Sequence, residues 1–265
     1  MVSLRGVAAS QGHAHVFETM GTTVSVRFGA EIDAVGIGSV RVALERVKRV
    51  FREADSRYSL YRPGSELSQI AAGTLRLSDA SEELRVMYEL AIGWRNATNG
   101  AFTPHRGDGI IDLSGLVKGW AIAHAGEALT AGGLTSWFIN AGGDVLTRGR
   151  APTRPWTVGI TDPEDRTQLM ASVVMTQNHH AVATSGSAER GEHIWTQSPR
   201  AASEYLQVSV LAPDIVTADV LATAIVAGGQ NMLDLAASTR DVEALAVDHH
   251  GILRVTPGFR SALAA

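Results

Sequence analysis

The chain has 265 residues, is 45% hydrophobic and carries a formal charge of −4, with its 23 basic residues scattered rather than clustered. That content supports a substantial core in one large domain or two intimately packed ones, and it gives no electrostatic footprint for nucleic acid. The chain has no cysteine, so disulfides, thiolate nucleophiles and zinc–thiolate sites are excluded, and catalysis must use oxygen and nitrogen groups.

Residues 1–15 hold a single arginine and only the short apolar patch Val7-Ala8-Ala9. We expect a flexible arm there, followed by one domain over 16–265. No secretory h-region or run of transmembrane length is present, which leads us to expect a soluble cytoplasmic protein without membrane insertion. Val16 to Phe28 reads as extended, and Thr23 to Phe28 alternates as a half-buried strand does. Met20-Gly21-Thr22 interrupts it, as a bulge or as a place where another group approaches closely. From Ile37 to Asp55, apolar residues recur at helical spacing between Arg and Glu. Tyr58 to Leu67 is a turn in which Ser65 has the look of a helix cap. A second long helix starts near Asp79, where Asp79 and Glu82 have capping-box spacing, and Thr98-Asn99-Gly100 stops it. Ala101 to Gly109 reads as a loop.

Ile110 to Trp120 passes from a short apolar strand through a Ser-Gly turn into a helix expected over Trp120 to Thr130. Strand, glycine turn and helix start together offer backbone N–H groups and a positive dipole end, which suit a phosphate. Lys118, one of only two lysines, would add a full charge. The spacing is not that of a Walker A loop, and an ordinary βα turn with an exposed lysine has the same appearance. Strands at Ser136–Asn140 and Val145–Arg148 flank Ala141-Gly142-Gly143-Asp144, either a hairpin turn or a close backbone approach to a ligand. Further strands are expected at 156–160, 171–175 and 181–184. His179 and His180 read as loop or edge residues. His193, at a turn into an apolar pair, is either a base at a strand end or a structural histidine.

After a strand at Tyr205–Leu211 comes Thr217 to Ala227, an apolar helical run whose strongly polar side chains after its first residue are Asp219 and Thr223. Four residues apart, they stack one turn above the other on one face. A carboxylate there is costly unless compensated, and with a hydroxyl it suits a hard, oxygen-preferring cation such as Mg²⁺. The alternative has Asp219 or Thr217 capping the helix and Thr223 bonding back to a carbonyl. A short helix at 232–237 and strands at 244–247 and 252–255 complete the chain. Helices and runs of strands without strict βαβ order indicate an α+β fold with antiparallel or mixed sheets.

Taken in order, Met20-Gly21-Thr22, Ser59 to Leu67, Gly100-Ala101-Phe102, Asp112 to Gly115 running into Lys118-Gly119, Asn140 to Asp144, Ala183 to Gly186, His193-Ile194 and Ala218-Asp219 with Thr223-Ala224 resemble the ApbE family, the FAD:protein FMN transferases. The resemblance implies a T-fold-like architecture and an enzyme that binds FAD with Mg²⁺ at the pyrophosphate. It would transfer FMN to a threonine or serine hydroxyl of an acceptor flavoprotein and release AMP. By that resemblance Asp219, Thr223 and the carbonyl of Val117 fall on metal ligands. Met20, Tyr61, Ala101, Phe102, Thr103, Ser114, Trp120 and Ile194 fall on flavin-nucleotide positions, Lys118 near the phosphates, and His193 on the catalytic histidine. The chain departs from the family at Thr103, at His124 and over Trp195 to Pro199, where an Asp-Pro and a Thr-Gly stretch are usual. Two rival activities follow: hydrolysis of FAD to FMN and AMP, and flavin binding without turnover.

Overall fold

The computed structural model describes residues 14–29, 36–186 and 203–264, so residues 1–13 of the expected N-terminal arm lie outside the described residues. The chain enters through a tight hairpin of β1 (His15–Thr19) and β2 (Thr22–Phe28), closed by the Thr19–Thr22 pair. Met20 and Gly21 are the two turn residues, both left-handed (φ 49° and 68°), which matches the right-handed twist of the flanking strands. The interruption seen in the sequence is thus a two-residue turn rather than a bulge.

Helix α1 (Ile37–Tyr58) buries Val40, Leu44, Val47, Phe51 and Ala54 along one stripe and keeps its charged residues outside, as its period requires. Ser65 caps α2 (Glu66–Ala71) by accepting from Ser68 N at 3.0 Å. Helix α3 (Glu82–Ala97) starts later than its sequence spacing suggests. Asp79 ends a 3₁₀ turn, and the cap is Ser81, whose hydroxyl accepts from Leu84 N while Glu66 holds the Ser81 N–H and hydroxyl.

A larger correction concerns α4, which runs from Ser114 to Ala131 instead of starting at Trp120. Asp112 Oδ1 accepts from Ser114 N at 2.9 Å and starts the helix, and the expected strand before it reduces to one bridge between His105 and Ile111. The Ser-Gly step expected as a turn lies inside the helix, and the glycines along α4 serve packing. A Cβ on Gly115 would lie 3.0 Å from the Phe102 ring, one on Gly119 3.2 Å from the Ile215 carbonyl oxygen, and one on Gly126 2.5 Å from the Trp137 indole.

The remaining strands are β3 (Trp137–Ala141), β4 (Asp144–Arg148), β5 (Thr157–Thr161), β6 (Leu169–Val174), β7 (Ala181–Gly186), β8 (Tyr205–Ala212), β9 (Glu243–Asp248) and β10 (Leu253–Val255). Eight form one antiparallel sheet in the order β1-β2-β3-β4-β7-β8-β9-β10, and β5 and β6 pair separately. Helix α5 (Ile215–Gly228) follows β8, and α6 (Gln230–Ser238) leads to β9. The chain is therefore α+β, as its element order implies.

Both faces of the central sheet are covered. On one side α5 lies on β7 and β8, α4 packs on α5, and α1 packs on α4. On the other, Val145, Val182, Leu211 and Leu245 meet Trp156, Val158, Val173 and Phe259 in a smaller core, while their strand neighbours Ala181, Ala183, Val210 and Ala246 join the helical one. Side chains of opposite pleat thus feed two cores, which explains the nearly continuous apolar runs in β7 to β9. Helix α5, between α4 and the sheet, is apolar almost all round for the same reason. Among the described residues no helix is long and apolar enough to cross a membrane.

Candidate active site

A cavity of about 640 Å³ opens where the β1–β2 turn, the end of α1, the following turn at Ser59–Arg62 and the start of α4 converge. Its rim is Met20, Gly21, Tyr61 and Arg62, and its floor is Ser114, Val117, Lys118, Gly142 and Thr184. Gly142 and Gly143 form the β3–β4 turn, with φ 62° and 98°. The hairpin and ligand-facing readings of these glycines therefore coexist, because the turn itself forms part of the wall. At the rim Tyr61 is 80% exposed, and Arg62 clasps Asp55 of α1 at 2.5 Å. Tyr58 lines the wall, and burial pushes its phenol above the ordinary value, partly offset by its hydrogen bond with Arg57.

The floor is organised by two fully buried carboxylates and one ammonium. Asp214, not Asp219 or Thr217, caps α5: its carboxylate accepts from Thr217 N at 2.8 Å and from the Thr217 hydroxyl at 2.7 Å. That leaves Asp219 more than a turn inside an apolar helix. Its Oδ2 accepts from Gly119 N of α4 at 3.2 Å, a contact that the absence of a side chain on Gly119 permits. Lys118 Nζ lies 3.9 Å from Asp219 Oδ1 and in direct contact with Asp144 Oδ2. Asp144, at the start of β4, also accepts from Thr184 N at 3.1 Å through Oδ1. Thr223, one turn along α5, shares a hydrogen bond with the Ser185 hydroxyl at 3.2 Å rather than bonding back along its helix. Buried charges need such partners, since removing one would leave the other uncompensated.

This donor set fits a hard cation. Among the described residues no three His, Cys, Asp or Glu side chains gather as a ligand cluster. The groups that meet at Lys118 are the Asp144 and Asp219 carboxylates, and one turn along α5 from Asp219 stands the Thr223 hydroxyl with Ser185 beside it, so the donors are oxygen. Mg²⁺ is typically held by one or two carboxylates together with substrate phosphates. The ammonium between the two carboxylates is a cation already in place.

Of the residues singled out from the sequence, Met20, Tyr61, Ser114, Val117 and Lys118 meet at the cavity, with Asp219 and Thr223 behind its floor. Trp120 stands one layer back, edge-on to Tyr58 at 6.0 Å and stacked on His124 at 3.9 Å. Phe102 is buried against Gly115, Ala101 faces a separate depression beside Gly228 and Met232, and Thr103 faces another with Arg95 and Asn99. The structure does not bring these three to the cavity lining. His193 and Ile194 lie outside the described residues. Asp144 received no role from the sequence, although a carboxylate directly after a Gly-Gly turn and opening an apolar strand is the signal that could have found it.

The chain is similar to known proteins in sequence and in fold. The chain is 32% identical over 165 residues to an FAD:protein FMN transferase of Rhodobacter capsulatus, a match covering 58% of this chain and 31% of that protein. Matches to the first curated relatives span only about a third of their length, 31%, 34% and 35%. A Vibrio cholerae protein of the same description is 23% identical over 80% of both chains. In three dimensions the chain superposes on the flavin transferase ApbE from Vibrio cholerae with a TM-score of 0.74 at 20% identity, covering 96% of this chain and 99% of that one. It superposes on the ApbE protein of Thermotoga maritima with a TM-score of 0.76 at 19% identity, covering 96% and 100%. The ApbE family model matches residues 20–110 and 105–246, which take in the cavity, its floor and helix α5, and the chain belongs to the ApbE family.

Proposed function

We propose that the protein transfers the FMN half of FAD to a threonine or serine hydroxyl of an acceptor flavoprotein, with Mg²⁺, and releases AMP. The observation that carries this reading is the cavity floor, where Lys118, Asp144 and Asp219 set fixed charge beneath a space bounded by the start of α4. The names of the curated relatives support the substrate and the acceptor class.

In this scheme the acceptor oxygen attacks the FMN-side phosphorus of the pyrophosphate, and the bond to the AMP phosphate oxygen breaks. Tyr61 and Met20 at the rim contact the flavin nucleotide, and Lys118 meets charge on the pyrophosphate. Asp219 and Thr223, with the Val117 carbonyl, would hold the metal, which would supply Lewis-acid stabilisation of the leaving phosphate. His193 takes the acceptor proton, a role worth roughly 10²- to 10⁴-fold for a positioned base.

Chromatography of FAD incubated with the protein and Mg²⁺ tests the reaction class. AMP formed only when an acceptor flavoprotein domain is present supports transfer. AMP and FMN formed without acceptor identify water as the nucleophile, and intact FAD in both cases leaves flavin binding alone. With His193→Ala, FAD affinity is expected to stay near wild type while transfer is lost; undiminished transfer removes His193 from the mechanism.

A further inference from the structure

We propose that Lys118 is a built-in counter-cation that competes with the divalent ion for Asp219, and that Asp144 is the docking carboxylate that draws it away. The inference rests on the reading of Asp219 as a metal ligand and adds a device that controls it. Lys118 Nζ reaches both carboxylates at once, touching Asp144 Oδ2 and lying 3.9 Å from Asp219 Oδ1, with only 17% of its side chain exposed. Asp219 is held from the other side, its Oδ2 fixed by Gly119 N, so Oδ1 is the oxygen nearest the ammonium. A divalent ion on Oδ1 and an ammonium beside it repel each other in a site this enclosed.

The two carboxylates are anchored by backbone and the cation is not. Asp144 is fully buried and tied to Thr184 N, whereas Lys118 carries its charge on a four-carbon stem. Lys118 therefore moves between two fixed anions. When it leans on Asp219 the metal-ligating carboxylate is paired, and when it rests on Asp144 the metal oxygen is open. The apparent ion affinity is then the intrinsic one reduced by the fraction of time Lys118 spends off Asp219. Incoming pyrophosphate oxygens, by drawing the ammonium into the cavity, would tie ion entry to substrate arrival. Asp144 is in this sense a positioning residue.

The test is Mn²⁺ binding to FAD-free protein, with the free ion counted by its EPR signal. Mn²⁺ stands in for Mg²⁺ because both prefer oxygen donors. Two variants move in opposite directions, which a merely structural role would not produce. Asp144→Asn leaves Lys118 with Asp219 as its remaining carboxylate, and binding weakens by about tenfold. The double variant Lys118→Met/Asp144→Asn removes one positive and one negative charge. It keeps the local net charge and strands neither group, and binding tightens about twofold relative to wild type, where Lys118 already rests largely on Asp144, and about twentyfold relative to Asp144→Asn. A double variant that binds no tighter than wild type, including no binding by either, overturns the proposal, as does Asp144→Asn binding as tightly as wild type. Adding Asp219→Ala to the double variant separates the two levels. Retained binding shows that Asp219 is not the ligand and sinks the metal-site reading; binding lost there, with no gain in the double variant, sinks the competition alone.

Discussion

The floor and the rim of the cavity are built by opposite means. At the floor Lys118, Asp144 and Asp219 are enclosed by two apolar helices and the sheet, and Asp144 and Asp219 are tied to backbone N–H groups as well as to the ammonium. The rim has Tyr61 standing in solvent, Met20 held at a positive φ by a two-residue turn, and one ion pair from Arg62 to Asp55. Burial makes the two carboxylates costly to misplace, so their positions are fixed before a ligand arrives. An exposed rim can adapt its shape at little cost in stability.

Substitutions should divide along that line. The largest effect belongs to the floor: Asp219→Ala is expected to lower transfer by about a thousandfold with FAD bound nearly as before, measured by AMP release and by flavin fluorescence titration. A drop confined to FAD affinity would place Asp219 outside the chemistry. Next comes the packing beneath the floor. Gly126→Ala puts a methyl group 2.5 Å from the Trp137 indole and is expected to cost about 1–3 kcal/mol in a denaturant melt, while the folded fraction keeps its turnover. At the rim, Arg62→Ala should cost less than about 1 kcal/mol, because Arg62 is largely exposed, yet raise the KM for FAD severalfold with kcat little changed. A large loss of stability there would show that the rim is built like the floor.

A further effect lies outside the cavity lining. Burial pushes the Tyr205 phenol up to about 12, and its hydroxyl donates to Gln230. A phenol raised in the folded state contributes stability that is whole below its unfolded value near 10 and disappears as pH climbs toward 12. Unfolding midpoints should therefore fall across that alkaline window. Tyr205→Phe should flatten this fall, and an unchanged slope would assign it to other groups.

The contrast also marks what could be read from the sequence. That Asp219 needs partners was legible, because a carboxylate inside an apolar helical run has no inexpensive place to go, and the fold supplies Gly119 N and Lys118. The long amphipathic α1 and the Ser65 cap were legible because their signals are local. The start of α4 was not, since Gly115 and Gly119 look like turn residues until Phe102 and α5 are packed against them. Asp144 was missed because its reason for being buried, Lys118, lies 26 residues earlier and meets it only in the folded chain. The Met20–Gly21 turn escaped because Met carries none of the chemistry that usually announces a positive φ.

The most direct measurement is the intact mass of an acceptor flavoprotein domain after incubation with the protein, FAD and Mg²⁺, beside an Asp219→Ala control. The expected result is one FMN-sized adduct on a threonine or serine, absent in the control. An adduct of equal yield with Asp219→Ala would contradict the role given to the cavity floor.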